Sequence, residues 1–300
     1  MSEINIKIIK TDFSFPPYHI NAYLINTEQG NFLFDTSIKT KTSIETITNA
    51  IKENGGIDGI ILSHGHLDHA GCSAIISEKF DIPIYISLEE KERISSDFNL
   101  RLKRRINKII KIADHLGLDK NNTQKEYEKI NFYRDLFTPI EFCFNIEKLN
   151  MSDFKILKLP GHTNGSIGIY ITSKKILLSG DALLEDGISP FFDPDLLENA
   201  ILAYENSLNS LKNIEIIQIL PGHGTPIYNV QEIIQNHLNY IHSNRERIKN
   251  LLQQKADLAT IHNTVFPKNY NLLIALSEII GALEELQIPI LQNLKDLLSE

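Results

Sequence analysis

Four side chains that can bind a metal ion lie within six residues, in the segment HGHLDH at positions 64–69. They are His64, His66, Asp68 and His69. In an extended segment, side chains two positions apart point to the same side, so His64 and His66 can hold one ion. Asp68 and His69 follow after the chain turns, which suits them to a second ion nearby. The spacing therefore predicts a centre for divalent metal ions.

Further metal-binding residues follow apolar, strand-like runs elsewhere in the chain. His162 follows ILKLPG, Asp181 follows KKILLSG, His223 follows IIQILPG, and Asp35 ends the earlier run FLFD. If these runs are neighbouring strands, their carboxyl ends meet at one edge of the sheet and hold the side chains at fixed separations. A glycine precedes His162, Asp181 and His223, and it lets the backbone bend tightly there. We therefore predict that the histidines and aspartates converge at this edge.

Two other interpretations of this residue set are weaker. A chance HGHLDH in a solvated loop would not be accompanied by histidines and an aspartate at other strand ends. A structural zinc site is normally closed, four-coordinate and rich in thiolates, whereas this set contains no cysteine and enough side chains for two ions. Coordination positions left open by such a set imply chemistry at the metal.

Composition and charge argue against several classes of protein. The 300 residues are 42% hydrophobic, carry a formal net charge of −8 and include two cysteines, Cys72 and Cys143. Such a chain can bury a sizeable core, its acidity opposes a general attraction to nucleic acid, and two cysteines cannot organise a fold by disulfides. Without a recognisable secretory signal or membrane-spanning run, we expect a cytoplasmic protein that binds neither nucleic acid nor membrane.

Strand-like and helical patterns alternate along the chain and predict its organisation. Helical periodicity over residues 39–54 separates strand-like runs, and such runs resume at Phe154. The stretch at about 88–145 reads as mainly helical and is interpreted as an insertion, and long helical segments begin near residue 230. The predicted division is a catalytic domain over residues 1–230 and a helical C-terminal module over residues 231–300, for which a winged-helix form is one option.

A basic stripe lies inside the predicted insertion, in RLKRRINKIIK at residues 101–111. Helical spacing places its charges along one face and apolar residues along the other. The basic residues are Arg101, Arg104, Arg105, Lys108 and Lys111. A solvated surface is the simpler interpretation of this face. If the helix borders the metal centre instead, the stripe would bind an anionic part of the substrate.

The segments SHGHLDHAG, LPGHTNGS, SGD and LPGHG, in this order, resemble the metallo-β-lactamase superfamily, whose shared pattern is HxHxDH followed by His, Asp and His. The resemblance covers about residues 5–228 and implies an α/β fold, a four-layer αββα sandwich. It also implies two metal sites that share Asp181, the first held by His64, His66 and His162 and the second by Asp68, His69 and His223. Asp35 matches an aspartate behind the site, where it would orient a histidine or the ligand loop.

By this resemblance the chain is expected to be a metal-dependent hydrolase similar to glyoxalase II. Two divalent ions, zinc first and iron or manganese as alternatives, would share a bridging hydroxide that attacks a small ester, thioester or lactone. Asp68 would orient this nucleophile and could accept its proton, and no residue is assigned to protonate the leaving group. The expected partner is a small-molecule substrate, which would be anionic if the basic stripe borders the cleft.

Other reaction classes share the same pattern of ligands. An iron-dependent persulfide dioxygenase typically uses one metal and would consume oxygen. A phosphodiesterase of the same superfamily would carry a basic exosite or a nucleic-acid domain, and the sequence contains no segment that we recognise as one. A binding protein without activity is disfavoured because every ligand position of the pattern is filled.

Overall fold

The computed structural model of the chain describes residues 4–12, 19–115, 135–152, 154–185, 187–188, 190–191, 193, 199–267 and 270–288. Strands within these ranges form two sheets. The first sheet contains β1 (Asn5–Asp12), β2 (His19–Thr27), β3 (Gly30–Phe34), β4 (Gly59–Ile61), β5 (Ile84–Ile86) and β6 (Phe144–Asn145). The second sheet contains β7 (Phe154–Lys158), β8 (Ile167–Ile171), β9 (Ile176–Gly180) and β10 (Gln218–Pro221).

Helices flank both sheets. They are α1 (Lys41–Glu53), α2 (Leu67–Ala70), α3 (Ser73–Phe80), α4 (Phe98–His115), α5 (Ala200–Lys212), α6 (Val230–Gln253), α7 (Leu258–Val265) and α8 (Leu272–Glu285). Short 3₁₀ helices span Leu88–Ile94 and Ile146–Lys148. Among the helices that the structure describes, not one combines the length and the apolar character that crossing a membrane requires.

Strand direction decides where the predicted site residues can meet. In the first sheet, β3 and β4 are parallel, so they end at the same edge. In the second sheet, β7 and β9 both run antiparallel to β8, while β10 is parallel to β9. Three strands of the second sheet therefore also end at one edge.

Alternating side chains of the strands divide the core into layers, as the two-residue period of a strand requires. In β2, Ala22 and Leu24 pack against the helices on the outer face, whereas Tyr23 and Ile25 pack between the sheets. The second sheet repeats this arrangement, with Leu177 facing outward and Leu178 facing inward. Helices α1 and α3 cover the first sheet, and α5 and α6 cover the second. The result is the four-layer αββα sandwich.

Helix α1 begins and ends where its sequence signals predict. The Thr40 side chain accepts a hydrogen bond from the backbone N–H of Ser43, an N-cap contact that satisfies one donor of the first turn. After Glu53 the chain leaves the helix through Gly55 and Gly56, which both have positive φ. The helix predicted for residues 39–54 is thus confirmed to within two residues.

The predicted insertion is helical only in its first part. Residues 88–94 and 98–115 are helical, but residues 135–143 form turns and coil, and Phe144–Asn145 forms β6, paired with β5. Helix does not extend into residues 135–145, because the pairing of Phe144 with β5 overrides the local pattern there. Residues 116–134 lie outside the described residues.

The C-terminal helices form a hydrophobic cluster of their own. Residues of α6, α7 and α8 build it, and Ile112 of α4 joins it, so the helix after residue 98 packs onto the C-terminal part. The long helical segments predicted to begin near residue 230 do begin there, with α6 starting at Val230. From residue 230 onward the described residues contain helices and no strand, which gives a winged-helix form no support. The division into two domains stays a prediction.

Candidate metal centre

The candidate metal-binding side chains that follow the predicted strands all lie close together. Asp35 follows β3, His162 follows β7 after a short turn, Asp181 follows β9 and His223 follows β10. Backbone hydrogen bonds join the two sheets at this edge, from Ile167 N–H to the Ser63 carbonyl (2.9 Å) and from Asn21 N–H to the Gly222 carbonyl (2.8 Å). All seven predicted ligands are brought together here, in two groups: His64, His66 and His162, and Asp68, His69, Asp181 and His223.

The first group consists of three imidazoles whose ring nitrogens point at one another. Nε2 of His162 lies 3.1 Å from Nε2 of His64 and 2.9 Å from Nδ1 of His66, and these two atoms are 3.0 Å apart. A neutral imidazole carries one proton, so mutual hydrogen bonds cannot satisfy three nitrogens that face a common point. Converging nitrogen lone pairs are what a divalent cation such as zinc requires.

The second group mixes imidazole nitrogens with carboxylate oxygens. Nε2 of His223 lies 3.3 Å from Oδ2 of both Asp68 and Asp181, and Nε2 of His69 lies 3.3 Å from Oδ1 of Asp181. Within the described part of the chain, this His69 nitrogen is buried and makes no hydrogen bond. A buried polar atom without a hydrogen bond is costly unless another ligand satisfies it. The donor set therefore fits a cation.

Asp181 lies between the two groups. Its Oδ2 atom is 3.3 Å from Nε2 of His223 in the second group and 3.6 Å from Nε2 of His162 in the first. Gly222 allows this position, because a Cβ atom there would overlap Oδ1 of Asp181 and lie 2.6 Å from Cε1 of His69. Asp181 therefore lies within reach of both donor groups.

Hydrogen bonds on the far side of the rings select the nitrogen that faces the centre. Nδ1 of His223 donates to the carbonyl oxygen of His19 at 2.8 Å, so Nε2 is available to a metal. Nδ1 of His69 donates to Oδ2 of Asp35 at 2.8 Å. The Ser63 hydroxyl donates to the same Asp35 oxygen at 2.7 Å and accepts from Nδ1 of His64 at 2.9 Å.

Asp35 thus acts on both groups from behind them. It is fully buried, has a left-handed backbone with φ of 58°, and its Oδ1 accepts the backbone N–H of Ser63 at 2.7 Å. The resemblance implied this place for Asp35, but sequence reasoning missed Ser63. Its position directly before His64 was the available signal.

The pKa values follow from burial and from the neighbouring charges. Burial, together with neighbouring histidines, lowers the pKa of His64 and of His66 well below the ordinary value, so these two imidazoles are neutral. Burial also opposes protonation of His223, but the Asp181 and Asp68 carboxylates outweigh it and raise its pKa to about 10. Without a metal, positive charge in the second group is supplied by protonated imidazoles. The two carboxylates therefore need positive charge beside them, which a bound cation would supply.

A pocket of about 350 Å³, part of which is open solvent, lies beside His162. Arg93, Arg105, Phe191 and Asp193 are among the residues that line it. The Phe191 ring packs edge-on against His162 with centroids 4.9 Å apart, and Asp193 lies 2.8 Å from Arg93 and 3.7 Å from Arg105. Of the predicted basic stripe, Arg105 therefore reaches the site.

Most of the chain matches one known sequence family. Residues 15–223 match the family model described as the metallo-beta-lactamase superfamily. "Probable metallo-hydrolase YqjP" of Bacillus subtilis (strain 168) is 24% identical over 291 residues, which cover 90% of this chain and 89% of that protein. "Hydroxyacylglutathione hydrolase GloC" of Haemophilus influenzae is 31% identical over 171 residues, 55% of this chain and 68% of that protein.

Solved structures show the same fold. The crystal structure of metallo-beta-lactamase family protein TTHA1429 from Thermus thermophilus matches with a TM-score of 0.73 and 20% identity, over 94% of this chain and 93% of that one. A beta-lactamase domain protein from Burkholderia ambifaria matches with a TM-score of 0.69 and 19% identity, over 94% and 86% of the two chains. Both matches extend into the C-terminal helices, since each covers nearly all of this chain.

Proposed function

Because this chain belongs to the metallo-beta-lactamase superfamily, we propose that it is a hydrolase that binds two divalent metal ions and cleaves a small ester, thioester or lactone. The observation that carries the proposal is the pair of adjoining donor groups with Asp181 between them. In this proposal His64, His66 and His162 would hold the first ion, Asp68, His69 and His223 would hold the second, and Asp181 would be available to both.

Such a pair of ions, when bound, would supply an activated water near neutral pH and polarise the carbonyl oxygen of a substrate. The chain's own residues do the rest. Asp68 has the most exposed side chain of the second group, at 20%, so it can orient a water on the substrate side and accept its proton. Asp35 accepts a hydrogen bond from Nδ1 of His69, and Ser63 accepts one from Nδ1 of His64. These contacts turn the Nε2 atoms of both histidines towards the centre.

Nitrogen and oxygen donors without thiolates suit zinc but also suit iron and manganese, whose occupancy depends on cellular supply. We propose zinc as the native metal. A cytoplasmic location also stays a prediction.

Two observations favour an anionic thioester among the substrates. One relative carries the name hydroxyacylglutathione hydrolase, a type of enzyme whose substrate is a thioester of an anionic carrier. The pocket beside His162 contains the guanidinium groups of Arg93 and Arg105, and guanidinium groups bind carboxylates and phosphates in a bidentate fashion. Asp193 already contacts both groups, so a substrate anion would share them or displace this carboxylate.

The experiment that tests the proposal measures metal content and turnover on the same sample. We expect two zinc ions per chain and hydrolysis of one class within a panel of thioesters, esters, lactones and phosphodiesters. The double variant His64→Ala/His66→Ala should lose the first ion and at least ~100-fold of kcat, because two of its three histidines are gone. One iron per chain together with oxygen uptake on a persulfide would contradict the proposal and favour a dioxygenase, and turnover of phosphodiesters alone would favour a phosphodiesterase.

A further inference from the structure

We propose that Glu90 is a positioning residue for the three histidines of the first group. It lies in the 3₁₀ helix Leu88–Ile94, outside the ligand loops, and its side chain is fully buried. The inference rests on the proposed function in one respect, namely that His64, His66 and His162 bind an ion.

The Glu90 carboxylate connects the two loops that carry these histidines. Its Oε2 accepts the backbone N–H of Gly65 at 2.9 Å, and Gly65 is the residue between His64 and His66. Its Oε1 accepts the backbone N–H of Gly165 at 2.9 Å, in the turn that follows His162. One carboxylate therefore fixes the spacing between both loops, and with it the spacing of the three ring nitrogens.

These loops come from different sheets, and the backbone hydrogen bond from Ile167 N–H to the Ser63 carbonyl at 2.9 Å is a direct link between them, to which Glu90 adds its two contacts. The Gly65 loop follows β4 of the first sheet, and the Gly165 loop follows β7 of the second. The Ser87 hydroxyl adds a second contact to the same turn by donating to the Gly165 carbonyl at 2.7 Å. The segment 87–90 thus spans the gap between the sheets at the metal centre.

Gly165 is required for this close approach, and Gly65 leaves little room for a side chain. A Cβ atom at Gly165 would overlap the Ser87 hydroxyl and lie 2.7 Å from Cγ of Glu90. A Cβ atom at Gly65 would lie 3.0 Å from Oε2 of Glu90 and 3.0 Å from the Arg93 side chain. The backbone at both positions therefore reaches the carboxylate because there is no side chain between them.

The buried charge of Glu90 is matched. Nε of Arg93 donates to Oε2 of Glu90 at 3.0 Å, while Nη2 of the same guanidinium donates to Asp193 at 2.8 Å. A buried carboxylate is tolerated when it is paired and fully hydrogen-bonded, as this one is with three N–H donors. Because Arg93 also lines the pocket, Glu90 connects the pocket wall to the histidine loops.

A conservative substitution separates the positioning role of the Glu90 carboxylate from the space that its side chain fills. Glu90→Gln keeps the size of the side chain, but its amide group has one acceptor oxygen, and its NH₂ group would face a backbone N–H. One of the two loops must then lose its contact. Glu89→Gln makes the same chemical change at the neighbouring, exposed position of the same 3₁₀ helix, and it is the matched control.

The test is a stepwise metal titration of the metal-free full-length chain with Zn²⁺ against a competing chelator. We expect Glu90→Gln to weaken binding of the ion in the first group by ~10- to 100-fold, the usual effect of losing a residue that orients metal ligands. Binding in the second group should change less than ~3-fold, and Glu89→Gln should match the parent. NMR signals of the histidine rings, assigned with single histidine variants, show which group each step fills.

Equal weakening of both ions would overturn the inference in favour of a general loss of stability, and unchanged binding of both would overturn it outright. If Glu90→Gln does not fold, Glu90→Asp is the second variant: it keeps the charge, but its shorter side chain cannot reach both Gly65 and Gly165, so it should weaken the first ion alone. Unchanged affinity in that variant would also overturn the inference. A parent chain that binds no ion at the three histidines would overturn the proposed function and this inference together, whereas failure of Glu90→Gln to act would overturn this inference only.

Discussion

Oδ2 of Asp35 lies 2.8 Å from Nδ1 of His69, and both side chains are fully buried. A carboxylate can only accept this hydrogen bond, so the proton is on Nδ1 and the opposite nitrogen faces the second donor group. The substitution Asp35→Asn should remove this control, because an amide cannot accept from His69, from the Ser63 hydroxyl and from the Ser63 backbone at once.

We expect Asp35→Asn to weaken metal binding at the second group by ~10- to 100-fold, measured by chelator competition. Asparagine tolerates the left-handed backbone at position 35, so strain does not confuse the result. Asp81→Asn is the control, since Asp81 has φ of 54° and is exposed at the end of α3. Equal loss of affinity in both variants would show that the Asp35 contact does not orient His69.

Arg105 and Arg104 offer a direct test of the anionic substrate. Arg105 lines the pocket beside His162, whereas its neighbour Arg104 is exposed and is absent from the pocket lining. Arg105→Ala should raise KM for an anionic thioester by ~10-fold or more, the value of one hydrogen bond to a charged group. Arg104→Ala changes the net charge equally and should leave KM near that of the parent.

A neutral analogue of the same thioester provides the second comparison. Its KM should not respond to Arg105→Ala. If both arginine variants behave like the parent on the anionic substrate, the pocket does not bind the anion and the basic face of α4 is a solvated surface.

Gly222→Ala should eliminate binding of one ion without unfolding the chain. The new Cβ atom would overlap Oδ1 of Asp181 and displace His69, two members of the second group. Metal analysis after dialysis should find about one ion per chain in place of two, because the proposed second site loses two of its ligands while the first keeps its three histidines. Gly55→Ala is the control, because that glycine has φ of 80° and open space around it.

The control should lose ~1–2 kcal/mol of unfolding free energy from its left-handed backbone and keep both ions. A Gly222→Ala chain that retains two ions would show that Asp181 and His69 do not both bind the second one.

Glu278 of α8 predicts a pH dependence of stability that does not involve the metal centre. Burial raises its pKa to about 7, although the nearby Asn244 amide, the hydrogen bond from the Tyr270 hydroxyl and the charges of Arg245 and Arg247 lower it. In the unfolded chain the carboxyl has its ordinary pKa of 4.5. Between these two values the unfolded chain has released the proton while the folded chain still holds it, so the free energy of unfolding falls as pH rises through this window.

The fall attributable to Glu278 is at most ~3 kcal/mol and is complete above pH ~7. Glu278→Gln cannot ionise and should be more stable than the parent at a pH of about 8, with the two chains closest near a pH of about 4. Urea unfolding of both chains across this range measures the difference. The exposed Glu78→Gln variant should follow the parent, and a parent whose stability relative to Glu278→Gln is independent of pH would contradict the prediction.

Local sequence was enough to predict that the metal-binding side chains converge at strand ends, whereas the sandwich around them was implied by the resemblance to the metallo-β-lactamase superfamily. Each signal that was used spans only a few neighbouring residues. These signals are the segment HGHLDH, the apolar strand-like runs, and the glycines that follow them before His162, Asp181 and His223. Two-residue and 3.6-residue periods assigned most strands and helices, because each reflects a single face turned towards the core. The same local signals failed at Phe144, where pairing with β5 decides the conformation.

The positions of Ser63, Glu90 and Arg105 around the centre were decided by tertiary structure alone. Glu90 contacts backbone 25 and 75 residues away, and its neighbours Glu89 and Glu92 have the same side chain without those contacts. Arg104 and Arg105 are likewise indistinguishable by type, and the packing of α4 onto the C-terminal helices selects one of them for the pocket. Which side chains can bind metal is a property of residue type and spacing, whereas which others position them depends on contacts between distant segments that only the folded chain creates.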